Sequence, residues 1–282
     1  MSRELHQTHW ARGYEFHHLS QRPFYSACPR WLISHGDIPR GAKIADLGCG
    51  SGILTQFLLD EYDDDEELQI FAIDPSEWEL AIARERISDP RVTFIQGTAE
   101  EATAHVSQCH AVFLCNVLHQ IPLDERESLL AKAVSLLRPG GILGCSTLFY
   151  RGGLSETAKI FNIQWMQYAR AELERLGGQW QDMSKDPPPA LQNLSPSEHE
   201  HCLSKIGLSD VIVEELEFDW VREDWEALCR YSVFIRGALS PDVELEIGHR
   251  ALVEGMRAAY DSLGIQSLKR YWLHCSGRKR SE

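Results

Sequence analysis

The sequence predicts an α/β protein: a doubly wound, mostly parallel sheet of seven strands, with helical additions at the N-terminus, after the fifth strand and before the last. Three observations carry this. Between residues 42 and 148, short apolar runs alternate with helix-length segments, the pattern of a parallel sheet covered on both faces. The first of these runs ends in an acid and breaks into glycines at 48, 50 and 52, in "AKIADLGCGSGIL". The 282 residues are 43% hydrophobic and 25% charged, an ordinary globular composition with enough chain for one large domain.

The elements follow in order. Residues 1–41 are rich in aromatics and histidines, loosely helical in period and punctuated by Pro23, Pro29 and Pro39; they form an N-terminal helical cap segment. Residues 42–282 form the main domain, with helical insertions at about 150–207 and 220–265. Lys43–Leu47 is the first strand and Ile53–Glu61 the helix after it; the acidic "DEYDDDEE" beyond is a solvated helix end and loop. Gln69–Asp74 is the second strand, and "SEWE" at 76–79 has the capping-box pattern that starts a helix through Ile87. Val92–Gln96, a short helix near Glu100, and Ala111–Asn116 continue the alternation. Asp124–Leu137 is a helix stopped by "RPGG", and Ile142–Leu148 is the fifth strand. A long helix over Ser155–Leu176, the Pro-rich "DPPPA" and a helix from Pro196 to Ile206 capped by Ser195 come next. Asp210–Phe218 resumes as a strand, helices follow at about 222–238 and 242–263, and Leu268–Ser276 is the last strand.

Net charge is −14 and the pI about 5.3, which argues against a protein that tracks nucleic-acid phosphates. No stretch is long and apolar enough to span a membrane, and the N-terminus lacks the apolar core of a signal peptide. Eight scattered cysteines without a CxxC pair suggest free thiols in a cytoplasmic protein. No metal is expected: His199 and His201 of "HEHC" are two apart on a helix and point to different faces.

A strand, a glycine-rich turn and a helix place backbone N–H groups and a positive helix end beside whatever binds there, at the carboxyl ends of the strands. The spacing of Gly48, Gly50 and Gly52 differs by one residue from the dinucleotide fingerprint G-x-G-x-x-G, which disfavours a nicotinamide-dependent dehydrogenase. Asp46, at the end of the strand, would repel a pyrophosphate and suits a cationic ligand.

"DLGCGSG" at 46–52 resembles the first motif of class I S-adenosylmethionine-dependent methyltransferases. The resemblance continues through "FAIDPS" at 71–76, "QGTAEE" at 96–101, "LCNVLHQIP" at 114–122 and "LLRPGGIL" at 136–143, in order over about residues 42–148. It implies a Rossmann-like methyltransferase fold that binds S-adenosyl-L-methionine. On that resemblance Asp46, Gly48, Cys49, Gly50 and Gly52 hold the methionine part, Asp74 both ribose hydroxyls, and Thr98, Ala99 and Glu100 lie near the adenine, with Asn116 close to the cofactor. Each has a plainer alternative: Asp74 capping the next helix with Ser76, Thr98 starting a helix, Asn116 satisfying a loop.

Methyl transfer is an in-line displacement, so positioning is the protein's main task. His119, three residues past Asn116, is the candidate general base, against the alternative that it packs the start of a helix. Tyr14, His17 and Tyr25, with His18 beside them, are candidate substrate contacts on the N-terminal segment; Trp165, Met166 and Tyr168 are weaker candidates, better read as core. The stretch after the fourth strand lacks the (N/D)PP(Y/F) of nucleic-acid amino-methyltransferases, and helices closing as a lid suit a small-molecule acceptor. A protein-methylating enzyme and a non-catalytic cofactor-binding module are the alternatives. The apolar, aromatic N-terminal segment is suited to exchange within a homodimer.

Overall fold

The computed structural model describes residues 16–281. Seven strands form one sheet in the order β3-β2-β1-β4-β5-β7-β6: β1 (Lys43–Leu47), β2 (Gln69–Asp74), β3 (Val92–Gln96), β4 (Cys109–Cys115), β5 (Leu137–Thr147), β6 (Leu208–Val221) and β7 (Ser267–Lys279). The first five strands pair in parallel, with Ile44 opposite Ile70 on one side and Ala111 on the other. β7 runs antiparallel to β5, placing Cys145 opposite Cys275. The central strands are buried on both faces, which is why β4 reads as a continuous apolar run and not an alternating one; Ala111 through Leu114 have no exposed surface.

The helices are α1 (His17–Ser20), α2 (Ala27–Ser34), α3 (Ile53–Glu61), α4 (Glu77–Arg86), α5 (Ala99–Ala102), α6 (Leu123–Leu136), α7 (Glu156–Arg175), α8 (Pro196–Lys205), α9 (Arg222–Leu228), α10 (Ser232–Ala238) and α11 (Leu245–Leu263). Their starts follow local chemistry. Ser76, Ser155 and Ser195 accept hydrogen bonds from backbone N–H groups three residues on, and Glu198 completes a capping box with Ser195.

The chain divides into two compact units. Among the described residues, one comprises 16–25, 151–193 and 216–272; the other comprises 26–150, 194–215 and 273–281. The second holds the parallel strands with α2–α6 and α8. In it α2 packs on α3, β4 and β5, and Gly144 leaves room for Leu32 and Phe113, whose atoms would lie 3.1 and 2.8 Å from a β-carbon there. The N-terminal segment is therefore shared: α1 belongs to one unit and α2 to the other.

The first unit is built around α7 and α11. Phe161, Trp165, Trp225 and Tyr260 form an aromatic core with ring centroids 5.0–5.6 Å apart, and Trp165 donates to the Leu252 carbonyl at 2.7 Å. The segment expected as one helix over 222–238 is two. Tyr231 takes an extended backbone between α9 and α10, which turns its ring inward to full burial, 5.2 Å from that of Phe16. The strand expected at 142 begins at Leu137, because the "RPGG" turn that ends α6 is already extended.

Candidate functional site

The order of strands reverses between β1 and β4, and the candidate residues cluster at the carboxyl ends of these strands and of β2. Asp46 has no exposed surface. Thr55, on the first turn of α3, donates to its Oδ2 at 2.7 Å, while Oδ1 has no hydrogen-bond partner. Burial raises the Asp46 pKa to about 7, opposed by the Thr55 hydrogen bond and assisted by the neighbouring charge of Asp74.

The loop beyond is tied to β2. Gly48 and Cys49 donate to the Ile73 carbonyl at 2.7 and 3.1 Å, and Gly50 donates to Asp74 Oδ2 at 2.9 Å. Gly48 and Gly50 have φ of 71° and 51°, in the left-handed region. Space distinguishes their roles. A β-carbon on Gly48 would lie 2.5 Å from Val117 Cγ2, so this glycine lets the loops after β1 and β4 meet. A β-carbon on Gly50 would meet nothing nearer than Glu79 Oε2 at 3.9 Å, so the loop there is open to a ligand. Gly52 is a packing position, 2.9 Å from Ile87 and 3.2 Å from Ala83 by the same measure.

Asp74 ends β2 with its carboxylate buried, which lifts its pKa to about 6 against the hydrogen bonds from Ser76 and Gly50. Ser76 N–H donates to Oδ1 at 2.8 Å. This corrects the capping box expected at 76–79: only the Ser76 half forms, because Asp74 has already taken the N–H that Glu79 would bind. Glu79 is left buried at 3% exposure beside the glycine loop, a third acid that the capping pattern concealed. Three buried carboxylates around one loop suit a cation and oppose a pyrophosphate.

Thr98 is a helix cap: it accepts from Glu101 N–H and donates its own N–H to the Glu101 carboxylate at 2.9 Å, with Ala99 buried behind it and Glu100 exposed. Asn116, after β4, has φ of 60° and is 3% exposed. Its N–H donates to Ser146 O, its Oδ1 accepts from Leu148 N–H at 3.0 Å, and its Nδ2 has no partner. Asp46 Oδ1 and Asn116 Nδ2 are thus an unpartnered buried acceptor and donor, one on β1 and one just after β4, the strands flanking the switch point. A zwitterionic, positively charged cofactor fits both.

His119 is 1% exposed in a short 3₁₀ turn, its ring 4.4 Å from that of Phe149. Beneath this turn a cavity of about 10 Å³, lined by Leu118, Arg126, Cys145, His199 and Cys202 among others, holds at most one water. Tyr14 lies outside the described residues. His17 and Tyr25 belong to the other unit; Tyr25 is 4% exposed, its ring 5.5 and 5.0 Å from those of Phe16 and Trp272. Trp165 is fully buried core, whereas Tyr168 is exposed on the same helix and is not core. His199 is buried on the Ser195 carbonyl while His201 is exposed, so they do face apart.

Residues 44–141 match a family described as a methyltransferase domain. The ubiquinone biosynthesis O-methyltransferase of Vibrio vulnificus is 29% identical over 121 residues, 42% of this chain and 48% of that protein. The trans-aconitate 2-methyltransferase of an Acidovorax species is 33% identical over 112 residues, 40% of each chain. The matched region thus spans about half or less of these curated relatives. Among solved structures, Haemonchus contortus phosphoethanolamine N-methyltransferase 2, in complex with S-adenosyl-L-methionine, superposes with a TM-score of 0.55 at 20% identity, covering 95% of this chain and 56% of that one. The cyclopropane synthase MmaA2 of Mycobacterium tuberculosis gives 0.56 at 14%, covering 92% and 87%. These two share the fold. The matched residues include the strands that carry Asp46 and Asp74 and lead into Asn116, so the part of this chain that is similar to a methyltransferase domain is the part that holds the candidate site.

Proposed function

We propose that this chain moves a methyl group from S-adenosyl-L-methionine to a small-molecule acceptor. The observation that carries the cofactor assignment is the pair of unpartnered buried atoms, Asp46 Oδ1 on β1 and Asn116 Nδ2 just after β4, together with the open peptide at Gly50. When bound, the cofactor supplies a methyl group activated by its positively charged sulfur. Asp46 and the glycine loop hold its methionine part. Each Asp74 oxygen already accepts one backbone N–H and retains a lone pair for a ribose hydroxyl. The small-molecule class is supported by the names of the relatives from Vibrio vulnificus and Acidovorax. His119, sealed against Phe149, acts on this reading by packing the loop after β4 and not as the base.

The test is transfer of label from methyl-labelled cofactor into an extract of small metabolites, beside one of proteins. Label in a small product that Asp74→Ala fails to make supports the proposal. Label only in protein would favour a protein-methylating enzyme, and binding without turnover a non-catalytic module. For His119→Asn, a lower melting temperature with an unshifted pH–rate profile is expected; loss of a limb of that profile would restore the base.

A further inference from the structure

Outside the residues assigned to the cofactor, two thiols lie against each other at the end of β4. Cys28 on α2 has no exposed surface, and its Sγ is 3.5 Å from Sγ of Cys115, the last residue of β4, which is partly exposed. Cys28 also donates to Ser146 Oγ at 2.9 Å, and that hydroxyl lies 3.2 Å from the Asn116 N–H. The two sulfurs therefore share one hydroxyl with the backbone of Asn116, a residue in the left-handed region next to Cys115. Cys145 and Cys275, the other close pair, are buried opposite each other in β5 and β7, with no partly exposed member. None of the eight cysteines forms a disulfide.

We propose that Cys28 and Cys115 are a peroxide-responsive dithiol whose reversible disulfide weakens cofactor binding at the loop after β4; the effect on binding, though not the bond itself, rests on the function proposed above. The reaction balances with a peroxide as oxidant. The Cys115 sulfur attacks one peroxide oxygen: an S–O bond forms, the O–O bond breaks, and the departing oxygen takes up the proton given up by the Cys115 thiol and leaves as water. Cys28 sulfur then displaces the sulfenic oxygen: the S–S bond forms, the S–O bond breaks, and the Cys28 proton leaves with the second water. Each sulfur is oxidised by one electron and the peroxide is reduced by two. A small dithiol restores both thiols by exchange.

Two consequences follow from the contacts. Closing the sulfurs from 3.5 Å to bonding distance draws the end of β4 toward α2. It also removes the thiol proton that Cys28 gives to Ser146, whose hydroxyl supports the Asn116 backbone. Burial of Cys28 holds its thiol protonated, which suits the resolving partner, while partial exposure makes Cys115 the sulfur that meets the oxidant.

The experiment treats the intact protein with hydrogen peroxide, alkylates the remaining thiols and maps the linked peptides. Cys109 and Cys115 share a tryptic peptide, so fragmentation must separate them. Expected are the loss of two hydrogens in mass, a Cys28–Cys115 link, full reversal by dithiothreitol, and an S-adenosylhomocysteine dissociation constant raised about tenfold in the oxidised form. Cys28→Ala, with Cys28→Ser as a second variant, is expected to keep the reduced affinity and lose the peroxide response. A link between other cysteines, thiols that all remain alkylatable, or an unchanged response in both variants would overturn the proposal. Failure of the reduced protein to bind S-adenosylhomocysteine would refute the cofactor reading and leave the disulfide map to stand or fall separately.

Discussion

Asp46 and Asp74 are sealed from water with pKa values of about 7 and about 6, above the ordinary 3.8. Between 3.8 and those values the folded, ligand-free protein binds more protons than the unfolded chain, so its stability is greatest below this window and falls as pH rises through it. A cationic cofactor favours the ionised carboxylates. Binding is therefore expected to release protons and to tighten as pH rises through the two values. Titration calorimetry in buffers of different ionisation enthalpy measures this directly, and an affinity flat across the window would contradict it. The glycines give a second expectation. Gly48→Ala meets Val117 at 2.5 Å and is expected to lose about 1–3 kcal/mol of stability through the clash alone. Gly50→Ala meets no such contact and adds only the left-handed strain of about 1–2 kcal/mol, so its larger loss is expected in cofactor affinity. Thermal melts with and without S-adenosylhomocysteine separate the two. The sequence alone exposed Asp46, Asp74 and the glycines, because their spacing is local; it could not show that Glu79 turns from its cap to the loop, since that depends on Asp74 reaching Ser76 first.

At the scale of elements, α7 and α11 approach as closely as their backbones permit. A β-carbon on Gly255 would sit 2.5 Å from Ala169 N and 2.7 Å from its Cα, contacts that no side-chain rotation relieves. Gly255→Val is expected to destabilise the protein by about 3 kcal/mol or more, a fall of several degrees in melting temperature by circular dichroism. A melt like that of the wild type would show that the helices can separate freely. Strand positions were legible because buried runs bounded by turns admit few alternatives: β1, β2 and β3 occupy the expected residues. The break between α9 and α10 was not, because helical periodicity continues across it and the reason for the break is the burial of Tyr231.

For the whole molecule, the cofactor assignment makes a thermodynamic claim. A ligand that binds only the folded state stabilises it by about 2.7 kcal/mol at a hundredfold excess over its dissociation constant. S-adenosylhomocysteine is expected to raise the melting temperature, and NAD, whose pyrophosphate would face Asp46, Asp74 and Glu79, is not. Stabilisation by NAD alone would reverse the assignment.

The sequence by itself determined the order of strands and helices through residue 148, the caps at Ser76 and Ser195, and the acids that end β1 and β2. Those follow from neighbours within a few positions, where periodicity and capping chemistry act. Only the tertiary structure decided that the N-terminal segment divides between two units, that Tyr25 and His119 are buried, and that Cys28 meets Cys115. Each of these is set by contacts between residues far apart in the chain, whose partners packing selects and local pattern does not name.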